Sequence, residues 1–557
     1  MNEPTEPAEP TGAAADPAPK SGNVISSAQL VAAGILLSRI AGLLRDIVFA
    51  RYLGTSPYAS AFRGALRMPN VLQNLLGEGT LSASFIPVYS KLLEEGREED
   101  AGRLAGAIFA LLLAVAGGLS LFGVLMAPVL VSVFLPGFEG EIRQLTIQLT
   151  RIIFPMTGIL VLSAWALGIL NSHRKFFVSY TAPVLWNAAM IGALVIFGGR
   201  LDQRGLAVAL AWGALIGGGL QFLVQVPWVL RAERSLRPRW DLRSHGASTV
   251  IRNAGPAIMG RGVVQLSGWA DLVLASLLFD GAVAALSYAQ TFYMLPVSLF
   301  GMSIAAAELP ELSRQSRGAG TEEPLRRRVS AGLRQMAVFV VPSAVGYLLL
   351  GDIILGAVFE RGDFDRADTL LVWFILGGYA VGLLASTATR LYASTLYALG
   401  DTRTPARIAV LRVTTSALLG AALMTTLEPI SVRGFTFGGW QAITVLGNPI
   451  GAAGLALGAG VAAWLEWILL RRALGRRIGD ASAAGVLLKL IIAALVAGAV
   501  GRGIAVALPG LPNVLLALAV LAPFGVVYFA LAHVLGVAEV STALARIGSR
   551  FGGGRRT

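Results

Sequence analysis

Apolar stretches long enough to cross a bilayer follow one another along almost the whole of this chain, and that pattern removes most folds from consideration. A helix rises 1.5 Å per residue, so about 20 mainly apolar residues span the hydrocarbon core. Lipid offers the main chain no hydrogen-bond partners, so stretches of this length must be helical. They lie at 27–52, 58–90, 104–135, 145–170, 181–198, 206–230, 250–279, 282–310, 332–358, 367–398, 405–427, 449–470, 485–508 and 513–536. The expected fold class is an all-α polytopic membrane protein with about 14 transmembrane helices. Hydrophobic residues fill 55% of the 557 positions and charged ones 14%, well outside the soluble range. The second, third, eighth and tenth stretches exceed what a span needs. Tilt, a kink or helix outside the bilayer would absorb the excess, with Pro69, Pro128 and Pro296 as kink candidates.

Charge placement orients the chain. The net charge is +13, which in a soluble protein would suggest nucleic acid. Here the basic residues gather in connections after even-numbered spans: RAERSLRPRWDLR (231–243), RQSRGAGTEEPLRRR (314–328), RRALGRR (471–477) and the tail. Connections after odd-numbered spans are poor in them. The positive-inside rule then puts both termini in the cytoplasm, with no nucleic-acid partner. The first 22 residues are rich in Pro, Ala and acid and lack an apolar h-region, so they read as a disordered tail. Cysteine is absent and only His173, His245 and His533 occur. Zinc, thiol and histidine chemistry are therefore not expected, and no P-loop or nucleophile constellation stands out. The chain reads as a transporter and not an enzyme.

The charges inside the apolar runs carry the functional signal. A charge in hydrocarbon costs roughly 2.5 kcal/mol or more, so such residues face a bundle interior or a watery cavity. Between 38 and 87 lie Arg39, Arg45, Asp46, Arg51, Arg63, Arg67 and Glu78. Arg39 and Asp46 fall near one face of the first helix, whereas Arg45 points elsewhere. Asp46 would hold an arginine in place, and guanidinium forks suit phosphate or pyrophosphate. Arg261, Asp271, Glu308 and Arg390 lie in the second half, where Asp271 suits either a cation ligand or an arginine partner. Glu466 and Lys489 lie near helix ends and read as snorkelling residues.

A faint repeat joins the halves. Met68-Pro69 leads to PVYSK and Leu295-Pro296 to PELSR, while VFLPGF (133–138) corresponds to VFERGDF (358–364). The offset spans six helices, an even number, so two six-helix lobes are inserted in parallel, with a site between them. The expected organisation is a tail (1–22), an N-lobe (23–230), a basic linker (231–249), a C-lobe (250–470), a second basic linker (471–484), a helix pair (485–540) and a basic tail (541–557).

SRIAGLLRDIVFARYLG (38–54) and AFRGALRMPNVLQNLLGEGTLSASFIPVYSK (61–91), with GPAIMG (255–260) and LYALGDTRTPARIA (396–409), closely resemble the MurJ/MviN family of lipid II flippases. The resemblance runs from about 25 to 540. It implies a V-shaped pair of lobes, and a groove on the last two helices for a polyprenyl tail. It also implies export of undecaprenyl-pyrophosphate disaccharide-pentapeptide across the bacterial cytoplasmic membrane by a functional monomer. Arg39, Arg45, Asp46 and Glu78 match family positions. Gln73 and Thr291 stand where the family carries arginines, and Ser60 where it carries an acid. Arg261, Arg63 or Arg67 would have to restore the charge, with Arg390 beside them. Asp271 matches an acid that holds sodium in some relatives, so sodium or the membrane potential is the expected driving force. The rival expectations are export of another polyprenyl-pyrophosphate glycan, or a scaffold for cell-wall synthesis proteins.

Overall fold

The computed structural model describes residues 22–237, 240–241, 245–315, 322–432, 435–439, 443–481 and 483–541. The side chains of Glu78 and Arg261 lie outside the described residues. The first half runs α1 (Gly22–Leu53), α2 (Pro57–Leu76), α3 (Glu78–Ser84), α4 (Ile86–Glu94), α5 (Glu98–Leu125), α6 (Ala127–Phe134), α7 (Gly140–Ser172), α8 (Phe176–Phe197) and α9 (Gln203–Ala232). The second runs α10 (His245–Ser276), α11 (Ala282–Pro296), a π-helical segment (Val297–Met302), α12 (Ser303–Gln315), α13 (Glu322–Phe359), α14 (Arg366–Val381), α15 (Leu383–Ala398), α16 (Arg403–Leu427) and α17 (Gly451–Ile478). The chain closes with α18 (Ala484–Ala507) and α19 (Asn513–Val534).

Local chemistry sets these boundaries. Ser56 caps α2, accepting from the Ala59 N–H at 3.2 Å, and Pro57 takes the first turn, where its missing N–H costs nothing. Asp202 caps α9 and Asp365 caps α14 in the same way. The four overlong stretches are the four interrupted ones. The second breaks at Gly77 and again at Phe85, the third at Met126, the eighth becomes π-helical after Pro296, and the tenth bends by 41° at Gly382. Pro69 produces no break and sits within continuous α2.

Among the described residues, ten helices are long and apolar enough to cross a membrane, or eleven with α14 and α15 as one bent span. The expected fourteen is not reached on that criterion. The long helices outside the count, α1, α2 and α10, carry most of the charged residues of interest, among them Arg39, Arg45, Asp46, Arg63, Arg67 and Asp271. Two antiparallel hairpins were not expected from the sequence: β1 (Pro429–Val432) with β2 (Phe435–Gly438), and β3 (Thr444–Val445) with β4 (Asn448–Pro449).

Helix α7 packs on α2, α5 and α9, and α8 on α1 and α9, which makes the N-lobe. In the C-lobe α17 packs on α14, α15 and α16. A Cβ on Gly458 would stand 2.5 Å from the Gly420 nitrogen, so only glycine lets α17 approach α16 this closely. The α18–α19 pair lies on α13, where Tyr528 donates to the Val338 carbonyl at 2.7 Å and Arg502 to Asp352 at 2.9 Å.

At the face opposite the basic loops the lobes are clasped. Tyr288 Oη donates to the Gly54 carbonyl at 2.9 Å, and the Ala284 N–H to Ser60 Oγ at 3.1 Å. The Asp363 N–H donates to the Arg51 carbonyl at 2.8 Å, Gln203 Nε2 to Asp363 at 2.9 Å, and Thr55 Oγ1 to Asp368. Gly54 sits at the centre with φ +51°, and a Cβ there would stand 2.5 Å from the Asp363 carbonyl oxygen. A side chain at that φ costs about 1–2 kcal/mol before any clash. Gly54→Ala should therefore loosen the clasp. With Ala59→Cys, a fully buried position in an otherwise cysteine-free chain, Gly54→Ala should speed labelling by a membrane-impermeant maleimide by about tenfold. Unchanged labelling would mean that the clasp does not depend on this turn.

Candidate functional site

The charged residues of α1 and α2 meet around one carboxylate. Asp46 is 4% exposed. Its Oδ1 accepts from Arg45 Nη2 at 3.0 Å and from Arg63 Nη2 at 2.8 Å. Arg45 also donates to Asn187 Oδ1 at 3.1 Å and lies 5.1 Å from the centre of the Trp186 ring. The Arg63 guanidinium lies 4.3 Å from the Phe49 ring centre and 5.5 Å from that of Tyr288 on the opposite lobe. Two guanidiniums share one carboxylate, so the cluster keeps one net positive charge in a poorly solvated setting. Each arginine is pinned while still presenting donors, which is the arrangement an anion such as a pyrophosphate requires.

The expected geometry needs two corrections. Arg39 does not pair with Asp46; it is exposed and reaches across to the C-lobe, donating to Ser298 Oγ in the π segment at 2.9 Å. Arg45, placed on another face by helical phase, curls back to Asp46, because a long guanidinium arm overrides the phase of its Cα. Helical phase alone also missed Trp186 and Asn187. They lie in an apolar run, 141 and 142 residues from Arg45.

A second polar set lies between the lobes. Arg67 Nη1 donates to Gln290 Oε1 at 3.0 Å, and Gln290 Nε2 to Tyr379 Oη at 2.9 Å. Arg67 also lies along α10, with its Nη2 only 3.1 Å from where a Cβ on Gly268 would stand. Arg67 and Arg412 act electrostatically on Asp271, and Arg412 lies 3.3 Å from Glu466. Glu466 is thus a buried partner of α16 and not the snorkelling residue expected. Among the described residues no group of three or more His, Cys, Asp or Glu side chains gathers to hold a metal. A sodium ion needs several oxygen ligands and an excess of negative charge. Asp271 is close enough to Arg67 and Arg412 for both to act on it electrostatically, which favours the arginine-partner alternative over a cation ligand.

The other expected residues are scattered. Gln73 lines a cavity inside the N-lobe. Thr291 turns its hydroxyl to the Ser287 carbonyl of its own helix at 3.1 Å. Arg390 is exposed on α15. Glu308 is taken up by Arg328 at 2.5 Å.

The family model described as "Lipid II flippase MurJ" matches residues 49–512. The chain belongs to the MurJ family. The lipid II flippase MurJ of Burkholderia cenocepacia is 31% identical over 461 residues, covering 82% of this chain and 84% of the relative. The probable lipid II flippase MurJ of Bdellovibrio bacteriovorus is 31% identical over 529 residues, covering 93% and 96%. Among solved structures, a lipid II flippase MurJ in its inward closed conformation has the same fold, with TM-score 0.71 and 21% identity over 91% of this chain and 98% of that one. An inward-facing multidrug resistance MATE family transporter of the MOP superfamily gives TM-score 0.58 and 16% identity over 79% and 95%. The MurJ resemblance read from residues 38–91 is therefore confirmed over most of the chain.

Two measurements test this MurJ-family site. Asp46→Ala strands two buried guanidiniums and should cost on the order of 3 kcal/mol in thermal unfolding of the detergent-solubilised protein. Arg45→Ala should cost less, because Arg63 still neutralises Asp46. Exchanging sodium chloride for choline chloride at constant ionic strength should move the melting temperature by less than about 1 °C. A larger, sodium-specific shift that Asp271→Asn abolishes would restore the cation site.

Proposed function

We propose that this protein moves lipid II, the undecaprenyl-pyrophosphate-linked peptidoglycan precursor, from the inner to the outer leaflet of the bacterial cytoplasmic membrane. The observation that carries this reading is the half-neutralised guanidinium cluster on α1 and α2, set against the other lobe and shut off by the clasp at the opposite face. In this reading the termini are cytoplasmic and the clasp is the outer gate. Arg45 and Arg39 hold the pyrophosphate, Asp46 fixes the Arg45 and Arg63 forks, and Arg67, Arg261 and Arg390 supply charge in place of the arginines absent at Gln73 and Thr291. The apolar tail stays in lipid beside α18 and α19 while the lobes rock. No bond is made or broken. The membrane potential or the substrate gradient drives the cycle without bound sodium, and one chain suffices.

The neutral side chains of Gln73 and Thr291 favour a second reading, a flippase for a different polyprenyl-pyrophosphate glycan. Complementation of a bacterium depleted of its lipid II flippase separates the two. Wild type should restore growth, while Arg39→Ala and Arg45→Ala, at equal membrane expression, should each cut lipid II export by about tenfold or more, the worth of a charge-assisted contact. Rescue by all three would remove these arginines from the mechanism. Failure of well-expressed wild type would favour the other glycan, or a scaffold working through the basic loops.

A further inference from the structure

A partly open cavity of about 860 Å³ lies within the N-lobe, lined by residues of α2, α3, α7, α8 and α9. Its lining is unusual for a membrane protein interior. Asn70, Gln73 and Asn74 follow one another at helical spacing on α2, facing Ser163 on α7 and Gln221 on α9. No charged side chain occurs among the described lining residues. A carboxamide turned into hydrocarbon without a partner loses hydrogen bonds worth several kcal/mol. Three on one helix face imply that the cavity is kept for a polar occupant.

The carboxamides are available. Among the described residues, the side chains of Asn70, Gln73 and Asn74 make no hydrogen bond to protein. Gln221 is held from behind. Its Nε2 donates to Ser163 Oγ at 3.1 Å, and the same hydroxyl accepts from Gln225 Nε2 at 3.1 Å. Ser163 is 2% exposed and Gln225 fully buried, so this support is rigid and leaves the Gln221 carbonyl oxygen as a fixed acceptor.

The remaining wall is Trp186. Its Nε1 is already committed to the Ala214 carbonyl at 3.1 Å, so the ring offers the cavity only apolar surface. That ring also carries the Arg45 guanidinium, 5.1 Å from its centre. One indole therefore separates a cationic compartment from a neutral, amide-lined one.

Each compartment excludes the other's ligand. An anion gains little from neutral amides, and an acyl chain would leave them unpaired. A sugar fits both features. Its hydroxyls and acetamido group donate and accept as carboxamides do, and the C–H face of its ring packs on an indole. In a polyprenyl-pyrophosphate glycan the first sugar is esterified directly to the second phosphate, so it must sit one linkage from the guanidiniums.

We propose that this N-lobe cavity seats the pyrophosphate-proximal N-acetylated amino sugar of the lipid-linked glycan, with Asn70, Gln73, Asn74 and Gln221 bonding its hydroxyl and acetamido groups across Trp186 from Arg45. The inference rests on the pyrophosphate reading given above and adds the glycan to it. Gln73, which stands where the family resemblance expects an arginine, puts a carboxamide into the cavity in place of a charge and is here a specificity-determining residue.

Binding of two short-chain probes to the purified full-length protein in nanodiscs, followed by calorimetry, tests it. One probe is a prenyl pyrophosphate; the other is the same lipid bearing one N-acetylglucosamine on the terminal phosphate. Wild type should bind the sugar-bearing probe more tightly. Asn74→Leu, at an exposed position, and the isosteric Asn74→Asp should each cut that advantage roughly three- to tenfold, the worth of one or two hydrogen bonds. Asn74→Leu should bind the sugar-free probe as wild type does, which also shows that it is folded. Arg45→Ala should weaken both probes. Equal affinity of wild type for the two probes overturns the sugar site and leaves the pyrophosphate reading standing. So does an Asn74→Leu variant that loses neither probe or loses both equally. Failure of wild type to bind either probe overturns the pyrophosphate reading itself.

Discussion

One buried carboxylate holds the charged cluster of α1 and α2 in shape. Asp46 is the only acid among the described residues in contact with Arg45 or Arg63, and all three sit where water is scarce. An unpaired guanidinium there would be driven out of the bundle or would draw water in. A fully paired one would have nothing to offer a ligand. Two arginines on one carboxylate is the intermediate case. Aromatic neighbours help without adding charge: Trp186 beneath Arg45, and Phe49 and Tyr288 around Arg63. Because Tyr288 belongs to the C-lobe and also bonds the Gly54 carbonyl, the cluster and the clasp share a side chain.

The second polar set solves the same problem differently. Arg67, Gln290, Tyr379, Asp271, Arg412 and Glu466 place two guanidiniums beside two carboxylates, with amide and phenol groups between. Formal charge is balanced within that set, and Arg67 is held by the neutral Gln290 and not by a carboxylate of its own. The contrast between a charge-balanced set lying between the lobes and a net-cationic cluster on α1 and α2 makes the arrangement asymmetric, although the sequence repeat suggests two matching halves.

Much of this was legible beforehand, for identifiable reasons. Overlong apolar runs are a length argument, and length is dictated by the bilayer. That is why the four suspected stretches are the ones that break, although at Gly77 and Gly382 the breaking residue is glycine and at Phe85 and Met126 neither glycine nor proline. The arginines were legible because charge in hydrocarbon is costly wherever it occurs. Their partners were not. Asn187 and Trp186 lie 142 and 141 residues from Arg45 in an ordinary apolar helix, and Gln290 lies 223 from Arg67. Only the tertiary fold brings them together. The β-hairpins had a signal: Leu446 and Gly447 take φ of +49° and +90° in a two-residue turn, and a Gly-Asn pair follows Leu446. That signal spans too few residues to register against a hydropathy profile averaged over a helix length.

The clasp has a consequence for how the molecule spends its time. Its cross-lobe bonds join main-chain groups, hydroxyls, an amide and two aspartates, and no guanidinium takes part through its side chain. The neutral bonds of this kind are each worth only about 1 kcal/mol net and the two to aspartate about 1.5–3, because water replaces them when they part. Five such contacts hold a population firmly to one side yet remain within reach of thermal opening on a millisecond scale. Bonds without paired full charges are also barely screened by salt. A gate built this way would keep the same timing in dilute and in saline surroundings. In the orientation proposed above, with the clasp outward, closure is then a constant of the fold and not a property of the environment.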